Sequence, residues 1–297
     1  MPPEPDHALY IFGEVLFDHF PDGSAILGGA PFNVAWNLQA LGEPPLLISR
    51  VGRDPQGDAV LAAMRRWGMR TDGVQRDPER PTGRVNVKFV DGEPGYDIQS
   101  DCAYDAIAAP ALGTCSALYH GSLALRSRTS ARALEAIRAS RPPLVFIDVN
   151  LRPPWWQRDQ LQALLHRAHW VKLNEAELRE LAAPRDAAAA ALMRQLLGDY
   201  ALDGVIVTRG AAGACLLAAE GEYHEVAPSS SGAIADTVGA GDAFASVMLI
   251  GLRRAWPLSL ALQRAQAFAQ QVIGRRGATV ADAGFYRAVC ASWGEVH

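Results

Sequence analysis

The feature that most constrains this chain is an alternation between short apolar runs and longer stretches with helical periodicity. The apolar runs that predict buried strands occupy 9–12, 45–49, 117–119, 144–148, 170–173 and 204–208. The helical stretches occupy 31–41, 57–67, 130–140, 158–168, 175–181 and 187–197. Strands that alternate with helices predict a mostly parallel sheet with helices on both faces, and ligands of such sheets bind at the carboxyl ends of the strands. We therefore expect a three-layer α/β/α sandwich that forms a single domain over 1–297.

The segment 84–99 departs from this alternation. Polar and apolar residues alternate over 84–90, Asp91 and Gly92 give a hairpin signal, and an extended pattern resumes over 96–99. A two-stranded ribbon of this kind has no core of its own, so it needs a surface to pack against. A lid over an active site, a subunit interface and a plain surface hairpin are all compatible with the pattern.

Composition and charge exclude several classes of function. The net charge is −4, whereas a nucleic-acid-binding surface normally carries a basic excess, so we expect no nucleic-acid partner. No apolar run reaches the roughly 18 residues that a membrane span needs, so we expect no membrane partner. The four cysteines lie far apart in the chain, without the paired spacing of zinc or redox sites. Lone thiols of this kind are typical of a cytoplasmic protein.

The strongest chemical signal is the segment Asp-Thr-Val-Gly-Ala-Gly-Asp at 236–242, which precedes a helical stretch over 243–252. Its glycines leave backbone N–H groups unshielded where a helix begins, and the positive end of a helix dipole attracts anions. A carboxylate beside an anion site, such as that of Asp242, suits a base that accepts a proton from a hydroxyl attacking phosphorus. The same position also suits an aspartate that caps the helix.

A second segment, Gly-Gly-Ala-Pro-Phe-Asn at 28–33, combines paired glycines with a proline that opens a helix. The glycines allow a ligand to approach the backbone closely, and Asn33 offers both a donor and an acceptor. Asp18, after the first strand, can accept hydrogen bonds from sugar hydroxyls. The sequence contains no P-loop, and Gly-Ala-Gly lies too late in the chain for a dinucleotide fold.

These two segments resemble the two signatures of the ribokinase/PfkB family of carbohydrate kinases. Further segments resemble the family in the expected order: an opening strand with its sugar-binding aspartate at 13–18, a D-x-N-x-R segment at 148–152, an N-x-x-E motif at 174–177, a T-x-G turn at 208–210 and a nucleotide-side segment at 275–278. The resemblance covers nearly the whole chain. It implies a ribokinase-like fold with lid segments at about 14–27 and 83–102.

The resemblance also implies an ATP-dependent sugar kinase and assigns roles to the matched residues. The implied catalytic set is a general base and the amides that precede it: Asp242, Gly239, Ala240 and Gly241. The implied sugar-binding residues are Asp18, Gly28, Gly29, Asn33, Tyr96 and Arg152. The implied nucleotide-binding residues are Asn174, Thr208, Gly210, Gly213 and Gly277. Mg²⁺ would be positioned through water by Asn174 and Glu177, and the candidates for a K⁺ site are Asp236 and Val238.

The segment at 28–33 is more similar to fructokinases than to ribokinases, so we expect fructose to be converted to fructose 6-phosphate. Alternative substrates within the same fold are a nucleoside, ribose or 2-keto-3-deoxygluconate. A different class of function, a sugar-binding regulator without turnover, is also compatible with the fold. We expect a homodimer joined through the hairpins, because exposed strand edges favour pairing.

Overall fold

The computed structural model describes residues 8–90, 93–111, 113–228, 238–275 and 277–294. The strands within these ranges are β1 (Leu9–Phe12), β2 (Leu16–His19), β3 (Ala25–Gly28), β4 (Leu46–Gly52), β5 (Val74–Asp77), β6 (Gly83–Val90), β7 (Glu93–Ile98), β8 (Ala117–His120), β9 (Val145–Asp148), β10 (Trp170–Asn174), β11 (Gly204–Thr208), β12 (Ala214–Ala218) and β13 (Tyr223–Val226). The helices are α1 (Ala30–Ala40), α2 (Pro55–Arg66), α3 (Arg128–Arg138), α4 (Arg158–Leu165), α5 (Glu175–Leu181), α6 (Ala189–Tyr200), α7 (Ala240–Arg253), α8 (Leu258–Ile273) and α9 (Ala283–Trp293).

The larger sheet has the strand order β13-β12-β11-β10-β9-β8-β1-β4-β5 within the described ranges. Neighbours from β11 to β5 run parallel, whereas β12 and β13 add an antiparallel edge. The chain begins inside the sheet at β1, adds β4 and β5 on one side and then returns to β8 on the other. The strand order therefore reverses between β1 and β8, and ligand crevices of doubly wound sheets lie at such a reversal.

Helices cover both faces of this sheet because each strand sends alternate side chains into two separate cores. In β1, Leu9 and Ile11 join the core made with α1, α2, α7, α8 and α9. Tyr10 and Phe12 join the core made with α3, α4, α5 and α6. Strands buried on both faces read as continuous apolar runs, which explains the clear signal in the sequence. The predicted three-layer α/β/α sandwich with a mostly parallel sheet is confirmed.

The predicted elements are present with small differences in their bounds. The bounds of β1 and α5 are the predicted ones. Helix α4 ends at Leu165 instead of continuing to 168. Several further elements of the same layers are not predicted from the sequence pattern: β5, β12, β13, α8 and α9. No helix among the described residues is both long and apolar enough to cross a membrane.

A second, smaller sheet has the order β3-β2-β6-β7. The predicted hairpin is present as β6 and β7, with Val85 opposite Ile98. The hairpin does not stand alone, because β2 pairs parallel with β6 and antiparallel with β3. Both added strands lie in or next to the segment 14–27 that we expect to be part of the lid. The side chains of Val85 and Val87 in β6 and of Ile98 in β7 are buried, so the hairpin has an apolar face that it would leave exposed if it stood alone.

Candidate active site

A cavity of about 410 Å³ lies at the carboxyl ends of the parallel strands. The larger sheet supplies one wall through residues at or just after the ends of β1, β9, β10 and β11, namely Glu14, Asp148, Asn174 and Thr208. The smaller sheet supplies another wall through Leu16, Asp18, Val85, Tyr96 and Ile98. The position is the one that ligands take in open α/β sheets, and the volume suits a small molecule.

The start of α7 forms the part of the cavity wall opposite these strands. Gly239 takes the N-cap position with φ of 83°, and its carbonyl oxygen accepts the first helical bond from the amide of Ala243 at 2.8 Å. A Cβ at position 239 would lie 2.5 Å from Cα of Ala278, so both the conformation and the space require glycine. Gly239, Gly241 and Asp242 all line the cavity, which therefore meets the positive end of a 14-residue helix.

The carboxylate of Asp242 is held by the side chain of another helix. Nδ2 of Asn33, in the first turn of α1, donates to Oδ2 of Asp242 at 2.8 Å. Burial, together with the charge of Asp148, raises the pKa of Asp242 to about 6, although the bond from Asn33 and the charge of Lys172 oppose the rise. A carboxylate with a raised pKa is a better proton acceptor, so this arrangement suits a general base near neutral pH.

A buried ion pair lies beside the first turn of α7. Lys172 in β10 stands opposite Asp148 in β9, and its Nζ lies 2.8 Å from Oδ1 and 2.7 Å from Oδ2 of that carboxylate. Burial disfavours the charge of Lys172, yet the attraction of Asp148 raises its pKa above the ordinary value. A Cβ on Gly241 would lie only 3.4 Å from Nζ, so the ammonium group lies next to the glycine loop.

Asn174 and Glu177 form a reciprocal cap at the start of α5. Oδ1 of Asn174 accepts from the amide of Glu177 at 2.9 Å, and Oε2 of Glu177 accepts from the amide of Asn174 at 2.8 Å. Oε1 of Glu177 also accepts from the amide of Leu151 at 2.7 Å. Glu177 therefore joins the loop after β9 to the start of α5 while it lines the cavity.

The segment 28–33 brings the predicted sugar-binding residues of α1 and β2 together. Gly29 is the N-cap of α1 with φ of 107°, and a Cβ there would lie 2.7 Å from the carbonyl oxygen of Glu14. A Cβ on Gly28 would lie 3.6 Å from Oδ2 of Asp18 and 3.8 Å from Oδ1 of Asn33, so both polar atoms border one small region. Burial raises the pKa of Asp18 to about 6 against the opposing charge of Arg152.

The structure brings most of the predicted site residues to one cavity but not all of them. The described residues that line it include Asp18, Gly29, Asn33, Tyr96, Arg152, Asn174, Glu177, Thr208, Val238, Gly239, Gly241 and Asp242. The predicted residues that lie in the described part of the chain but do not line it are Gly28, Ala240, Gly210, Gly213 and Gly277. Gly213 instead lies against β13, because a Cβ there would be 1.9 Å from the carbonyl oxygen of Val226. Asp236, a predicted K⁺ ligand, lies outside the described residues.

Three charged residues that line the cavity have no role predicted from the sequence: Glu14, Asp148 and Lys172. Lys172 interrupts the apolar strand Trp-Val-Lys-Leu, and a charge placed in a buried strand is costly unless it has a partner or a function. Glu14 directly follows Gly13 at the end of the first buried strand, where ligand-binding residues of such sheets concentrate. Both signals were available in the sequence.

Comparisons with known proteins place this cavity in context. Residues 9–283 match the profile described as pfkB family carbohydrate kinase. A fructokinase of Escherichia coli is 31% identical over 266 residues, which are 82% of this chain and 84% of that protein. An aminoimidazole riboside kinase of Salmonella typhimurium is 30% identical over 295 residues, 92% of this chain and 91% of the relative. The crystal structure of a fructokinase from Xylella fastidiosa with bound ATP superposes with a TM-score of 0.84 at 23% identity, covering 97% of this chain and 99% of that one.

Proposed function

Because the chain belongs to the pfkB family of carbohydrate kinases, we propose that it transfers the γ-phosphoryl group of ATP to fructose and forms fructose 6-phosphate. The observation that carries the proposal is the carboxylate of Asp242, which faces the cavity at the start of α7 and is held by Asn33. The similarity to the fructokinase of Escherichia coli favours fructose as the acceptor.

In the proposed reaction, Asp242 accepts the proton of the sugar hydroxyl as its oxygen attacks the γ-phosphorus. A new bond forms between that oxygen and phosphorus, and the bond from phosphorus to the bridging oxygen of ADP breaks. The amides of Gly239 and Gly241, which line the cavity, lie with that of Ala240 at the positive end of α7, where they stabilise the negative charge of the phosphoryl group. Lys172 adds a positive charge on the same side, because its ammonium group lies beside Gly241.

Asn174 and Glu177 suit a magnesium ion that keeps most of its water. The described residues contain no cluster of three or more His, Cys, Asp or Glu side chains that would enclose a metal. Both oxygens of Glu177 already accept backbone N–H groups, which leaves lone pairs for water rather than a full ligand set. Mg²⁺ commonly binds through one or two carboxylates, waters and nucleotide phosphates, and it would neutralise the charge of those phosphates here. A K⁺ site near Val238 stays a prediction.

We further propose that the smaller sheet is a lid on the sugar side of a single domain. Leu16, Val85 and Ile98 give the cavity an apolar wall, while Tyr96 and Asp18 offer polar groups. Tyr96 is 53% exposed, so it has room to move against a ligand. A homodimer joined through the hairpins and a cytoplasmic location stay predictions.

The substrate is tested by measuring ADP release with fructose, ribose, 2-keto-3-deoxygluconate, adenosine and aminoimidazole riboside. Fructose should give the highest kcat/KM, and its product should be the 6-phosphate by mass spectrometry and NMR. Aminoimidazole riboside is the second candidate, because the kinase of that substrate aligns over 92% of this chain. A clear preference for a riboside would overturn the assignment of fructose. Turnover of none of the five would favour the sugar-binding regulator.

The pH dependence of the reaction follows from the raised pKa of Asp242. The base must be ionised to accept a proton, and its pKa is about 6, so kcat/KM for the sugar should fall at least tenfold per pH unit below about 6. The fall in kcat/KM should be steeper than the protonation of one group would give, because the pKa of Asp18 is also raised to about 6 and its carboxylate must be ionised too. Direct quantification of ADP between pH 5 and 8 gives the profile without coupling enzymes. Constant kcat/KM down to pH 5 would contradict this role for Asp242.

Replacement of Glu177 by glutamine tests the cap and the magnesium role together. Glutamine has one acceptor oxygen, so one of two partly buried hydrogen bonds to backbone amides is lost, and we expect the free energy of unfolding to fall by about 1 kcal/mol. The Mg²⁺ concentration that gives half-maximal activity should rise. The matched control is Glu175→Gln in the same helical turn, whose exposed side chain pairs with Arg179 and should change neither quantity. An unchanged Mg²⁺ requirement in Glu177→Gln would leave Glu177 as a structural cap only.

A further inference from the structure

Glu14 is a buried carboxylate at the cavity with an oxygen that lacks a hydrogen-bond partner. The residue is 3% exposed, lies two positions after the end of β1 and lines the cavity. Its Oε2 is buried and has no hydrogen-bond partner among the described residues. An unpaired buried carboxylate oxygen costs free energy in the unliganded protein, so its presence needs an explanation.

The charged and titratable groups around Glu14 do not neutralise it. The titratable groups that interact electrostatically with Glu14 are Asp242, Arg152, Arg126, Tyr104 and Tyr119. Arg126 is already paired with Asp105, its Nε lying 2.8 Å from Oδ1, and Arg152 is exposed. Burial therefore dominates and raises the pKa of Glu14 to about 7, with Asp242 adding to the rise and a bond from its own amide opposing it.

Asn33 presents a second unpaired acceptor to the same cavity. Its Nδ2 is committed to Asp242, while its Oδ1 is buried without a hydrogen-bond partner among the described residues. Two buried acceptors that line one cavity favour a ligand that brings several O–H donors. A polyhydroxylated sugar is such a ligand, and each acceptor that meets a hydroxyl recovers the free energy lost by its burial.

We propose that Glu14 is a specificity-determining residue whose carboxylate accepts a hydrogen bond from a sugar hydroxyl that does not react. The assignment rests on the proposed sugar-kinase function and extends it to a second carboxylate that lines the same cavity as Asp242. Asp242 serves the hydroxyl that attacks phosphorus, and Glu14 selects substrates by a second hydroxyl. A site built around a hydroxyl rejects an analogue that lacks it, because the buried acceptor is then left unpaired.

The first test compares the wild type with Glu14→Gln on D-fructose and on 1-deoxy-, 3-deoxy- and 4-deoxyfructose. Glutamine keeps the shape but removes the charge, so KM for fructose should rise about ten- to hundredfold while kcat changes far less. For the wild type, KM for one of the deoxy sugars should exceed KM for fructose by a similar factor. For Glu14→Gln, KM for that deoxy sugar should be close to KM for fructose, because the partner of the missing hydroxyl is already changed. Equal discrimination in both proteins would overturn the proposal.

The second test uses pH and stability, which a purely structural glutamate would affect differently. If the ionised carboxylate accepts the bond, wild-type kcat/KM begins to fall below about pH 7, and Glu14→Gln shifts this first break to about pH 6, where Asp18 and Asp242 titrate. The unliganded variant should melt at the same temperature as the wild type or higher, and fructose should stabilise it less. A lower Tm with an unchanged pH profile would make Glu14 a structural residue instead.

Glu43→Gln is the matched control, since Glu43 is a partly buried glutamate that pairs with Arg254 beyond the C-terminal end of α1. It should change neither the discrimination between sugars nor the pH profile. The two hypotheses fail separately in this design. Absence of wild-type turnover on every sugar would reject the proposed function, whereas normal turnover with an unaltered Glu14→Gln profile would reject only the role of Glu14.

Discussion

Replacement of Asp242 by asparagine is expected to lower kcat by about 10²- to 10⁴-fold, the usual contribution of a positioned general base. Asparagine keeps an oxygen that can accept the bond from Nδ2 of Asn33, so the link between α1 and α7 should persist. It cannot accept the hydroxyl proton at neutral pH. The KM for fructose should therefore change far less than kcat, and the melting temperature should stay close to that of the wild type.

The measurement is ADP release at saturating fructose and ATP, together with thermal unfolding of the same preparations. Asp159→Asn is the matched control, because Asp159 also lies in the first turn of a helix, α4, but does not line the cavity. The control should keep full activity, which separates catalysis from a general effect on helix dipoles. Full turnover by Asp242→Asn would remove Asp242 from the base role and return it to the positioning of α7.

Removal of the ammonium group in Lys172→Met is the second change with a large expected effect. The substitution leaves Asp148 buried and without its cation, and breaking a buried ion pair in this way costs about 3–5 kcal/mol of folding stability. Activity should fall as well, by about 10²- to 10³-fold, since a positive charge beside the glycine loop is lost. A single variant cannot separate these two losses.

The double variant Lys172→Met/Asp148→Asn separates them. It removes both charges, so most of the stability lost in Lys172→Met should return, whereas kcat should remain low because the ammonium group beside Gly241 is still absent. Urea unfolding and ADP release give the two quantities. The surface pair Arg70 and Asp72 is the control, and the same cycle there should change stability by no more than about 1 kcal/mol and leave activity unchanged. Recovery of wild-type kcat in the double variant would show that the pair acts only on folding.

The layered part of the fold was predictable because its strands are buried on both faces. Runs such as 9–12 and 204–208 consist of apolar residues and glycine up to the last position of the strand. The strands β1 and β11 occupy these predicted ranges. The smaller sheet was only half predictable. Residues 16–28 contain Pro21, Asp22 and Gly23, and β3 is largely exposed, so local sequence gives little strand signal. Those strands form because β2 pairs with β6, more than sixty positions away in the chain, and local patterns do not report such pairing.

The candidate site shows the same division between local and long-range information. Asn33 and Asp242 were each predicted from glycine-rich helix starts, yet their hydrogen bond joins residues 209 positions apart. The pair of Lys172 and Asp148 arises from the register of β9 against β10, which places the two residues opposite each other. Neither contact can be inferred from spacing along the chain, although the residue types that make them are visible in it.

The hydrogen bond between Asn33 and Asp242 has a consequence for how such an enzyme can diversify. The side-chain amide of Asn33 borders the region proposed for the sugar and also orients the carboxylate of Asp242, so we expect a change at position 33 that admits a new sugar to lower turnover at the same time. Residues of the β6–β7 hairpin do not combine these two roles. Tyr96 and Ile98 line the cavity from the smaller sheet, and among the described residues neither forms a hydrogen bond with Asp242. We therefore expect substitutions in this hairpin to change the preferred acceptor with the smallest loss of turnover, while the starts of α1 and α7 stay unchanged.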